Sequence, residues 1–99
     1  MSTTTDFIAE LIRAANEIDA LTPSERVRLI ERAAATIQAQ RDLLAMRERV
    51  VPLSFDVTAN LDEMKHLAPE LPELLSAVVM LKCADEIRRL RILLETGHR

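Results

Sequence analysis

From Asp6 to Ala20 the apolar residues recur at intervals of three and four. Phe7, Ile8, Leu11, Ile12, Ala15 and Ile18 form one stripe, with Glu10, Arg13 and Glu17 on the other side. That period predicts an amphipathic helix over about 5–20. A second helix start follows in Leu21-Thr22-Pro23-Ser24-Glu25. Thr22 is placed to cap, Pro23 suits a first helical position that needs no N–H, and Glu25 stands where a capping box requires it. Neither Gly nor Pro occurs again before Pro52. One long helix over about 23–49 is therefore expected, with Val27, Ile30, Ala34, Ile37 and Leu44 as its stripe and Arg41 in the gap.

After Arg49 the period changes. Leu53, Phe55, Val57 and Ala59 alternate with Ser54, Asp56, Thr58 and Asn60. This predicts an extended link over 51–59, held by alternate side chains. The other reading is half of a ribbon that pairs across a two-fold axis. Asn60 then reads as a cap with Glu63 three residues on, which opens a short connecting helix over 61–67. Pro69 ends it. A second long helix follows over about 70–96, with Gly97 as its stop signal.

The second long helix holds the least expected pattern. From Leu74 to Ala84 only Ser76 and Lys82 are not apolar. A helix that is apolar all round is buried all round, and a chain of 99 residues has little left with which to surround it. Past Ala84 the apolar set narrows to Ile87, Leu90 and Leu94, a seam flanked by charge. The expected architecture is all-α. An antiparallel hairpin of two long helices carries a short N-terminal helix and a short connecting helix, and two chains join as a dimeric helical bundle. The expected oligomer interface is Val78, Val79, Met80, Leu81, Cys83, Ile87, Leu90 and Leu94.

Composition narrows the chemistry. One Gly, two Phe and no Tyr or Trp fit helices better than a turn-rich β fold. A net charge of −3 argues against a general nucleic-acid binder. One cysteine, Cys83, forms no intrachain disulfide and reads as a buried structural thiol. The N-terminus lacks a basic stretch followed by an apolar one, and the longest apolar run falls short of the ~20 residues that span a bilayer. A cytoplasmic protein with no membrane role is expected.

No Gly-rich phosphate loop, Cys–His metal spacing or Ser–His–acid arrangement is visible, so neither an enzyme nor a cofactor is expected. Two alternatives have named residues. Glu63 and His66 have the Glu-x-x-His spacing that supplies ligands in di-iron helical bundles, with Glu31 or Glu48 as possible additions. Against that, Glu63 is already explained as a capping residue. Arg26, Arg28 and Arg32, and again Arg88, Arg89 and Arg91, form basic clusters suited to phosphates, but Glu25, Glu31, Asp85 and Glu86 stand beside them as partners. The leading expectation is a non-enzymatic, homo-oligomeric interaction or regulatory module, whose partner is itself or another protein.

Overall fold

A computed structural model of the chain describes residues 3–47 and 56–96. Every regular element among them is helical: α1 (Thr3–Asn16), α2 (Pro23–Met46), α3 (Leu61–Leu67) and α4 (Glu73–Glu95), with 3-10 turns over Ile18–Ala20, Val57–Ala59 and Ala68–Glu70. No described helix is long and apolar enough to cross a membrane. The expected last positions of α2, 48 and 49, and the stop at Gly97 lie outside the described residues, as do Leu53 and Phe55 of the link.

Helix starts follow local chemistry. At α2 the Thr22 N–H donates to Glu25 Oε1 at 2.8 Å, and the Glu25 N–H donates to Thr22 Oγ1 at 3.1 Å. This closed pair satisfies two donors that a helix start leaves open. The Thr22 N–H, and after it the Thr22 hydroxyl, hold the Glu25 carboxyl below its ordinary value. At α3 the Glu63 N–H donates to Asn60 Oδ1 at 3.0 Å. The first helix is shorter than its apolar stripe: it ends at Asn16, and Ile18–Ala20 tighten into a 3-10 turn that leads to the Thr22 cap.

Two expectations are corrected. The first is the direction of the long helices. Arg26 meets Glu73 at 3.7 Å, Arg41 meets Glu86 at 3.1 Å, and Arg47 Nη1 donates to the Leu94 carbonyl at 2.9 Å. Partners that rise together along both helices mean that α2 and α4 run parallel, not as an antiparallel hairpin. Two helices of matched length pack in either sense, so the chain between them decides. Here that chain returns along α2 and α4: Met64 lies against Cys83, and Pro69 reaches the cleft beside Pro23 and Val27. It therefore restarts at the same end. α1 runs antiparallel to both long helices: it packs on α4, where Arg91 donates to the Thr5 hydroxyl, and it is linked to α2 by Arg32 to Glu10 at 3.1 Å.

The second correction concerns the link. Over Val57–Ala59 the alternation fails, because the chain coils into a 3-10 turn. Asp56 Oδ1 accepts from both the N–H and the hydroxyl of Thr58, at 2.9 and 2.8 Å. Thr58 is thereby buried, while Val57 and Ala59 face outward. A side chain that bonds its own backbone two residues on offers the chain a turn in place of a strand.

The core sits around α4, which packs against both α1 and α2. Leu11, Ile30, Ile37, Met80, Ile87 and Leu90 are fully buried in it. Ala33 and Ala34, also buried, give α2 its close approach. The molecule is a slab, with extents of 44 × 29 × 17 Å.

Candidate interaction face

Most of α4 divides as its residue types suggest, with Val79, Met80, Ile87 and Leu90 inside and Lys82, Asp85 and Arg88 outside, but a few positions depart from this. Ser76 is fully buried and Glu86 nearly so, whereas Leu74 is 74 % exposed. Ser76 Oγ donates to the Leu71 carbonyl at 3.5 Å, which satisfies it inside. Leu75, Val78, Leu81 and Ile92 also stand open to water. At 100° per residue, Leu74, Val78, Leu81, Asp85, Arg88 and Ile92 fall on one line down the helix.

The expected interface set is therefore split, and most of it is corrected. Val79, Met80, Cys83, Ile87 and Leu90 point into the chain's own core, because α1, α2 and the 57–71 segment pack around α4. They are not available to a second chain. Leu94 is half-buried against the same core. Only Val78 and Leu81 lie on the outer side, where they are joined by Leu74, Leu75 and Ile92. The sequence held a signal for this. Asp85 and Arg88, four and seven residues after Leu81, mark the wet side of the helix and extend upward to Val78 and Leu74. The four residues Leu74, Leu75, Val78 and Leu81 leave on the order of 300 Å² of apolar surface exposed per chain, a size found for the largest patch of an ordinary monomer and often functional.

Opposite this face lies a charged cluster at low exposure. Glu86 Oε2 accepts from Arg41 Nη2 at 3.1 Å and from Arg89 Nη2 at 2.7 Å, and Glu86 Oε1 accepts from Arg89 Nε at 3.0 Å. The two-pronged contact with Glu86 pushes the Arg89 guanidinium still higher than its ordinary value. Beside it Gln40 Nε2 donates to the Ile87 carbonyl at 3.0 Å, while Gln40 Oε1 and Arg41 Nε are buried without a hydrogen-bond partner. The sequence signal was Arg41 in the apolar gap of α2, a cation that required a counter-ion.

Cys83 is fully buried, with its Sγ 3.6 Å from Met64 Sδ. Burial, and to a lesser degree the nearby Asp56 and Glu86 charges, push the thiol from 9.0 up to about 12. It is not a nucleophile at neutral pH. The fold prefers the protonated thiol, so its contribution is complete below the unfolded value and is lost as pH rises from 9.0 towards about 12. Denaturant midpoints should fall across that window with a slope of up to about 1.4 kcal/mol per pH unit. Cys83→Ala should remove that part of the slope; a slope unchanged by the substitution would show that the thiol does not cause it.

The alternative chemistries find less support. Glu63 and His66 are both exposed on α3, and among the described residues no three His, Cys, Asp or Glu side chains gather as a metal site. In the Arg clusters, Arg26 pairs with Glu73, Arg88 with Asp85 at 3.9 Å, and Arg91 with Glu95 at 3.7 Å. Arg91 also donates to the Thr5 hydroxyl. Arg32 pairs with Glu10 and lies 4.1 Å over the Phe7 ring. Arg26, Arg32 and Arg91 tie helices together, Arg88 pairs within α4, and each of these four charges meets an acid of the chain. A groove of about 470 Å³ runs between α1 and α2, rimmed by both signs of charge: Glu10, Glu17 and Glu25 with Arg13 and Arg28. A scan against protein-family models finds none that matches, and searches of the curated proteins and of the solved structures return no match.

Proposed function

We propose that this protein is a non-enzymatic interaction module, of the small cytoplasmic regulator or adaptor kind, that uses the outer face of α4 to hold another polypeptide. One observation carries the reading. The helix places Ser76 and Glu86 inside and Leu74, Leu75, Val78 and Leu81 outside. A surface helix of a chain that works alone puts its charges in water and its leucines in the core. Here the buried Ser76 and Glu86 have hydrogen-bond partners inside, and nothing among the described residues buries the apolar row outside. An open apolar row on a rigid helix is the form in which one helix offers anchors to another.

A photo-crosslinking residue at Val78, compared with one at Glu31 on the exposed side of α2, tests this in the cells that make the protein. Adducts to a polypeptide should form from position 78 and be absent or much weaker from position 31. Equal yields from both positions, or none from position 78, would remove the reading.

A further inference from the structure

We infer that the polypeptide held by this face is a second copy of the same chain, with its α4 laid antiparallel and the two-fold axis passing beside Val78. The inference rests on the reading of α4's outer side as a contact surface and names what covers it. The row is self-complementary about Val78. In an antiparallel pair centred there, Val78 meets Val78, and Leu74 meets Leu81 of the second copy at both ends. Leu74, Val78 and Leu81, the large exposed side chains on this row, then each have an apolar mate, with Leu75 at the edge of the contact. A two-fold contact needs one patch that matches itself, which this row provides.

Area supports the same occupant. Two copies of the patch bring together roughly 600 Å² of apolar surface; at the usual apolar share of about 60% this is a contact of roughly 1,000 Å², the lower bound of a specific protein pair.

A competing register exists and is weaker. Centred between Asp85 and Arg88, the same helices would pair each Asp85 with an Arg88 and each Leu81 with an Ile92. That arrangement leaves Leu74, the most exposed of these leucines, beyond the contact. Exposed ion pairs contribute little, and Asp85 and Arg88 already face each other at 3.9 Å within one chain. Apolar burial decides for Val78.

The closing experiment joins mass to geometry. Sedimentation should show a dimer, and Val78→Glu should weaken it by about 100-fold or more, since each copy would bury an unpaired charge against the other. Val78→Cys should link to itself with a short bis-maleimide, while wild type does not link, because Cys83 is fully buried. Linking between Asp85→Cys and Arg88→Cys chains in a mixture, with none from Val78→Cys, would overturn the inferred register. A monomer at every concentration would overturn the second copy altogether. Adducts from position 78 to a different protein would then leave the interaction reading standing, so the two failures are distinct.

Discussion

Glu86→Ala is expected to lower the unfolding free energy by about 3–5 kcal/mol, since it removes one member of a buried ionic cluster and leaves the other charges behind. The Arg41 side chain is 14% exposed, its Nε already lacks a partner, and its Nη2 would lose the carboxylate. Arg89, at 38 %, has a route to water and would suffer less. A domain of this size has about 5–15 kcal/mol in total, so the variant should lie near the edge of folding. Urea unfolding followed by helical signal measures this. A loss below about 1 kcal/mol would mean that Arg41 reaches water unaided, and that the cluster is a surface ion pair in energetic terms. Replacing Glu86 and Arg41 together by leucine should recover much of the loss, because a buried pair exchanged for apolar groups of similar volume is often neutral.

Leu90→Ala and Ile92→Ala should differ by several kcal/mol although they stand two residues apart on one helix. Leu90 is fully buried among α1, α2 and α4, so its truncation should cost about 2–5 kcal/mol through lost transfer energy and the cavity left behind. Ile92 is 47 % exposed and lies outside the inferred central contact, so its truncation should stay within about 0.5 kcal/mol. Equal costs would mean that the two sides of α4 are not inside and outside as described. Leu90→Glu should accordingly unfold the chain, whereas Val78→Glu should leave it folded and change only its association.

What residues near one another in sequence could settle was legible. Thr22, Pro23 and Glu25 mark the start of α2, and Asn60 with Glu63 marks that of α3, because a cap is a contract among four neighbours. The stripe of α1 was legible for the same reason: one face of a single helix needs only one period. The all-helical class followed from long runs without Gly or Pro.

Three features escaped the sequence pattern, two of them because they depend on tertiary structure and one because a local bond competes with the alternation. The parallel sense of α2 and α4 depends on where the chain between them returns, and helical period carries no direction. The turn at Asp56 looked like half of a strand, because Thr58 between Val57 and Ala59 has the right alternation; the bond from Thr58 to Asp56 outweighs that pattern. The inner side of α4 was hidden by its own composition. With apolar residues on every side, only the positions of α1, α2 and Arg41 decide that Ser76 and Glu86 go in and Leu74 goes out. Local sequence thus determined where helices begin and what they are. Which side of the central helix meets water was decided by neighbours 45 residues away, because burial is a property of what surrounds a residue and not of the residue itself.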